Sequence, residues 1–173
     1  MAVDPTRPSQ LFQRKTQVAW INSSAQWTHA VTLTFPRNKL GIAPSEEAAC
    51  NTANHLVNVL NRILLGRGNV RNGHKIGSAF VFGTGPYGDH PHIHMALAAP
   101  PSLSNEAMTQ EIDNAIHQIE GLGHQLLIKP YKDAGWIDYM LDHCSDGFEV
   151  ELNFPATPQK ATSVLPKWSP RGG

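Results

Sequence analysis

Along residues 28–35, THAVTLTF, apolar and β-branched residues alternate with polar ones and Pro36 follows directly, a pattern that predicts a strand. Pro44-Ser45-Glu46-Glu47 then reads as a helix start with Ser45 as N-cap. Ala49, Leu56, Val57, Leu60, Ile63 and Leu64 follow at helical spacing, and Gly66 is the expected stop. A basic turn, RGNVRNGHK at 67–75, separates this helix from two strands at 76–82 (IGSAFVF) and 92–98 (HIHMALA). Ser104 or Asn105 can cap a second helix, with Met108, Ile112, Ala115, Ile116 and Ile119 as its apolar stripe. Further on, 124–130 reads as a strand, 134–143 as a short helix and 148–154 as a last strand-like piece. Upstream, 1–26 is Pro-, Ser- and Gln-rich and weakly periodic, an arm with one short helix around Leu11–Trp20. The order β-α-β-β-α-β, then a helix and one more short strand, is the split-βαβ, ferredoxin-like pattern. The expected fold is therefore α+β: an antiparallel sheet of four to five strands with helices packed mainly on one face.

Composition narrows this little. The chain has 173 residues, 40% hydrophobic and 16% charged, which is globular and sufficient for one compact domain. No apolar run approaches the ~18 residues of a membrane span, and the first residues lack the apolar core of a signal peptide. Two cysteines, Cys50 and Cys144, do not make a disulfide scaffold. The expectation is a soluble, cytoplasmic protein. Charge is more informative by region than in total. Residues 1–75 carry nine Lys/Arg against three Asp/Glu, residues 76–151 two against eleven, and 152–173 three against none. The formal net charge is zero, which excludes a binder that relies on bulk positive charge. A basic portion can still face a polyanion while the acidic one lies elsewhere or holds a cation.

Nine histidines are many for this length, and His90-Pro91-His92-Ile93-His94 concentrates them at the start of a strand. Side chains two apart on a strand share a face, so His92 and His94 present two imidazoles together while Ile93 points the other way. Such a pair is half of a divalent-metal site, or else two polar residues on a sheet face. In Trp136-Ile137-Asp138-Tyr139-Met140-Leu141-Asp142-His143, helical spacing gives Ile137, Met140 and Leu141 an anchoring face and puts Tyr139 and His143 together on another. A phenol becomes a nucleophile toward a phosphodiester only when a cation or base favours the phenolate. Otherwise Tyr139 is an aromatic residue at a helix–sheet interface.

Thr32-Leu33-Thr34-Phe35 in the first strand, His92-Ile93-His94 in the third and Tyr139 on a late helix together resemble the HUH endonucleases, named for their His-hydrophobe-His motif. Among these the chain looks most like the rolling-circle replication initiators of plasmids and phages. The resemblance spans about 28–154, with a domain at 27–155 between an N-terminal arm at 1–26 and a flexible tail at 156–173. The His pair precedes the tyrosine, the reverse of the order in relaxases and the order also found in single-tyrosine transposases. The resemblance implies metal-dependent nicking and rejoining of single-stranded DNA. Tyr139 would be the catalytic nucleophile and form a 5′-phosphotyrosine link. His92 and His94 would hold Mn²⁺ or Mg²⁺, and His143 or Asp89 would be the third ligand, with His90 and Asp142 as further candidates. The DNA would be a hairpin-associated origin or element end, and unwinding would fall to a separate helicase.

Arg37, Lys39, Arg71, Lys75 and Lys132 are the candidate DNA contacts, alongside Arg67 and Lys129. Trp27, Trp136 and Tyr87 are candidates for base stacking, His29 for a place near the site, and Tyr131 for a substitute nucleophile. Two apparent nucleotide motifs are discarded. Gly83-Thr84-Gly85-Pro86-Tyr87-Gly88 is followed by a strand rather than a helix, and Gly68 to Lys75 follows a helix and lacks the Gly-Lys-Ser/Thr ending. The rival readings are a single-tyrosine transposase and a ferredoxin-like module that binds nucleic acid without cutting it. A closed structural zinc site is disfavoured because the cysteines lie far from the His pair in sequence.

Overall fold

The structure is a computed structural model that describes residues 10–37, 41–84, 90–119, 122, 126–143 and 151–153. Its elements are α1 (Gln10–Ser24), β1 (His29–Thr34), α2 (Glu46–Arg71), β2 (Ser78–Gly83), β3 (His92–Leu97), α3 (Asn105–His117), β4 (Leu126–Pro130), α4 (Gly135–Asp142) and β5 (Glu151–Asn153). The five strands form one sheet in the order β4-β1-β3-β2-β5, every neighbouring pair antiparallel. The first four strands make the ferredoxin-like sheet expected from the sequence, with β3 at its centre and β5 added at one edge. Among the described residues no helix is long and apolar enough to cross a membrane.

The pleat divides the strands between two cores. Val31 and Leu33 of β1, Phe80 and Phe82 of β2, and Ile93, Met95 and Leu97 of β3 face α2 and α3. Leu56, Leu60, Met108 and Ile112, all fully buried, close this core, each side chain contributing ~1.5–3 kcal/mol by leaving water. Ser45 and Ser104 cap the two helices, their hydroxyls accepting from the amides of Ala48 and Ala107 at 3.2 Å. Gly66 interrupts α2 without ending it: at φ 77° it leaves helical geometry, and the chain then turns helical again as far as Arg71. Much of the basic turn expected at 67–75 is thus helix.

The alternate residues, Ala79, Val81, Ala96 and Ala98, build the second core on the opposite face with Ile21, Trp27, Ile137 and Met140. Helices therefore cover both faces: α2 and α3 on one, α1 and α4 on the other. This revises the expected arm. Residues 10–24 are one helix packed on α4, and Ile21 and Trp27 are core residues at 2% and 7% exposure. Trp27 donates its indole N–H to the Ile21 carbonyl at 2.9 Å, satisfying an acceptor at the end of α1 and tying that helix to β1. A ring so buried is not a base-stacking platform. The tail expected at 156–173 lies outside the described residues.

Candidate metal-assisted active site

The second face of the sheet is lined by small residues except for Leu127 and Lys129 on the edge strand β4 and for the row where β3 begins. There His92 and His94 stand on the same side, as the two-residue strand period requires, with ring centroids 4.5 Å apart. β3 is the central strand, paired on both sides, so the backbone under both imidazoles is fixed by two ladders. In register, His94 sits between Thr32 and Val81, and His92 between Thr34 and Gly83.

α4 crosses above this row. Ile137 and Met140 anchor it in the core, and Trp136 donates its indole N–H to the Met95 carbonyl at 2.9 Å. On the flank facing the histidines, Trp136, Tyr139 and His143 follow at i, i+3 and i+7, so their rings stack in a column. Tyr139 lies between Trp136 (centroids 5.4 Å, planes 21° apart) and His143 (4.0 Å, 33°). His94 meets the column edge-on, 5.0 Å from Tyr139, 5.3 Å from Trp136 and 5.9 Å from His143. The sequence elements at 92–94 and 136–143 are thus brought together, with Tyr139 still 41% exposed and accessible to a large substrate.

The hydrogen bonds orient the imidazoles. His92 Nδ1 donates to the His90 carbonyl at 2.7 Å, and His143 Nδ1 donates to the Tyr139 carbonyl at 3.0 Å. A carbonyl only accepts, so in the neutral rings the lone pair lies on Nε2. His94 Nδ1 pairs with the Thr32 hydroxyl at 2.9 Å, while its Nε2 is buried and has no hydrogen-bond partner among the described residues. Burial above all, then the charges of His92 and His143, push His94 down to about 3, so it stays neutral at ordinary pH. A neutral, buried imidazole with an unpartnered Nε2 fits a metal ligand, and His92 beside it fits a second. Among the described residues no three His, Cys, Asp or Glu side chains gather closely enough to hold an ion. His143 stands beside the pair without completing it, and Asp89 lies outside the described residues.

Other candidates are placed elsewhere. Asp142 is drawn off the site by Arg14, whose hydrogen bond is the main cause holding its carboxyl below the usual range. His29 is buried at the far end of β1 on the opposite face, bonded to Thr28, Thr109 and the Asn105 carbonyl. It is structural. Tyr131 donates to Asn22 Oδ1 at 2.7 Å, and burial, with the Asp133 charge, pushes its hydroxyl up to about 12. Of the basic candidates, Arg37 follows β1 at the His92 end of the sheet. Arg71, Lys75 and Lys132 belong to the opposite end, where Ser78, Leu97, His29 and Pro130 align, five residues or ~16 Å along the sheet from His92. Those described do not form a single track beside the histidines. Lys39 and Tyr87 lie outside the described residues.

Two contributors were not singled out from the sequence. Arg14 is one, taken up below. Gly83 is the other: a β-carbon there would stand 2.5 Å from the His143 carbonyl oxygen and 2.8 Å from His92 Nε2. Gly83 closes β2, one residue beyond the strand expected at 76–82, so the pattern gave no strand-glycine signal for this close approach. Gly83→Ala is expected to displace His92 or the end of α4, with an overpacking cost of ~1–3 kcal/mol and weaker Mn²⁺ binding, read by thermal melting and metal titration. An unchanged Mn²⁺ titration would show that the contact does not govern the site. Comparison of the chain with protein-family models, with curated proteins and with solved structures gives no match.

Proposed function

We propose that the protein is a metal-dependent nickase and rejoining enzyme for single-stranded DNA, of the HUH type and acting as a rolling-circle initiator. The observation that carries this reading is the meeting of the His92–His94 pair, with its buried unpartnered Nε2, and a ring-stacked, half-exposed tyrosine one helix away. A divalent ion held by His92 and His94 would supply Lewis-acid polarisation of the scissile phosphate. Trp136 and His143 restrict the Tyr139 ring from either side, which lowers the entropic cost of aiming its hydroxyl. Thr32 and the His90 carbonyl hold the two imidazoles of the pair in place. In the transfer, Tyr139 Oη bonds to phosphorus and the phenol proton passes to water. The P–O3′ bond breaks, and the 3′ oxygen takes up a proton as the free hydroxyl. Attack by that hydroxyl on the phosphotyrosine reverses the exchange and rejoins the strand.

The test is incubation with labelled single-stranded and hairpin DNA pools in Mn²⁺ or Mg²⁺. An SDS-resistant protein–DNA adduct that chelation prevents is the expected result. Tight binding without an adduct across these pools would replace the reading with that of a non-cutting nucleic-acid module. Tyr131→Phe is expected to leave adduct formation unchanged while lowering stability by ~1 kcal/mol through loss of the Asn22 hydrogen bond. Adduct loss in that variant would relocate the nucleophile.

A further inference from the structure

The α4 helix that carries Tyr139 is only eight residues long, and its N-cap residue, Ala134, makes no side-chain cap. A helix of two turns has little stability of its own, so its position depends on what holds it. At about 100° per residue its side chains leave in three directions roughly a third of a turn apart. Ile137 and Met140 point into the core, Trp136, Tyr139 and His143 into the site, and Asp138 and Asp142 away from both.

In that third direction Arg14 of α1 reaches α4. Arg14 donates through Nε to Asp138 Oδ1 at 2.8 Å, through one terminal nitrogen to the Asp138 carbonyl at 2.8 Å, and through the other to Asp142 Oδ1. One guanidinium therefore spans a full turn of α4 and bonds both side chains and backbone. A core stripe alone allows a short helix to roll about the stripe, and a lateral fork removes that freedom. The same guanidinium also offsets two carboxylates that flank the nucleophile in sequence.

We infer that Arg14 is a positioning residue for Tyr139: the α1 helix acts as a strap whose guanidinium sets the roll of α4 and so the aim of the tyrosine. The inference rests on the nuclease reading for its consequence in catalysis, while the placement itself can be read without it. A lysine cannot reproduce three directed bonds, so Arg14→Lys is expected to restore function only in part.

The experiment compares the wild type with Arg14→Ala, Arg14→Lys and the triple variant Arg14→Ala/Asp138→Asn/Asp142→Asn. Each is labelled with 3-fluorotyrosine, and the Tyr139 fluorine resonance is assigned by Tyr139→Phe among the three tyrosines of the chain. In Arg14→Ala the Tyr139 resonance is expected to shift and broaden. The rate of adduct formation should fall by about 10–100-fold, the scale of a small misplacement of a reacting group. Mn²⁺ affinity, set on β3, should change less than about threefold. Arg14→Lys should lie between, and the triple variant, in which the carboxylate charges are gone but the fork is also absent, should stay slow. Recovery of the rate in the triple variant would reduce Arg14 to charge compensation and overturn the positioning role. So would an unmoved Tyr139 resonance in Arg14→Ala. If the wild type forms no adduct, the nuclease reading fails, and the fluorine resonance still decides whether Arg14 places Tyr139.

Discussion

Replacing Tyr139 by Phe is expected to abolish the covalent DNA adduct, lowering its formation by at least about 10³-fold, with the fold and metal binding intact. The change removes one hydroxyl from a ring that is 41% exposed. The ring's packing between Trp136 and His143, and against the edge of His94, is carried by its carbons and is retained. Stability should therefore stay within ~0.5 kcal/mol of wild type by thermal melting. The Mn²⁺ titration should also be unchanged, because His92 and His94 are oriented by Thr32 and the His90 carbonyl rather than by the phenol. The decisive measurement is an SDS gel with end-labelled single-stranded DNA, comparing Tyr139→Phe with wild type in the same metal. A persisting adduct would remove Tyr139 from the reaction. Cleavage persisting without an adduct would point to attack by water at the same metal site.

The contrast between Tyr139 and Arg14 shows which parts of this molecule were legible in its residue pattern. Each core strand and helix announced itself by a local period. The alternation of THAVTLTF, the HIHMALA run and the spacing of Met108, Ile112 and Ala115 all report burial on one side of one element. The His92–His94 pair and the Tyr139–His143 pair were readable for the same reason, since i,i+2 on a strand and i,i+4 on a helix are local geometry. That the two pairs meet was implied by resemblance, and the tertiary packing of α4 on β3 brings them together. The site partner Arg14 lies 124 positions from Asp138 in the chain, and no period links them. Residues 1–26 suggested an arm because polar residues dominate α1, yet Ile21 and the Trp27 that follows it are buried in the second core, with Val18 packed against it. Gly66 misled in the opposite direction: a glycine breaks helical geometry at its own position, and whether the chain resumes the helix is settled by the residues after it. The basic residues were chosen by charge alone. Charge has no spatial period, which is why Arg71, Lys75 and Lys132 belong to the end of the sheet away from His92.

Replacing His94 by Leu should produce the other large effect, on metal binding and on the pH dependence of stability together. In the folded protein His94 is 4% exposed and held down to about 3, against about 6.5 when unfolded. Between these two values the unfolded chain takes up a proton that the folded one refuses. His94 thus contributes stability that is fully present above pH ~6.5 and is lost as the pH falls toward ~3. The loss across that window is of the order of a few kcal/mol, and His29, buried on the other face and also shifted downward, adds to it in the same direction. In chelator-treated protein, melting curves from pH 7 to pH 4 should therefore be distinctly flatter for His94→Leu than for wild type, with the His29 contribution remaining. Leucine fills the site but leaves the Thr32 hydroxyl without its imidazole partner, so stability at pH 7 should fall by ~1–3 kcal/mol. Adding Mn²⁺ should raise the melting temperature of the wild type by mass action and leave that of His94→Leu unmoved, because the proposed pair would be reduced to His92 alone. A metal-induced rise that survives in His94→Leu would place the ion away from β3. An equally steep pH dependence in both proteins would assign the acid sensitivity to His29 and the other titrating groups.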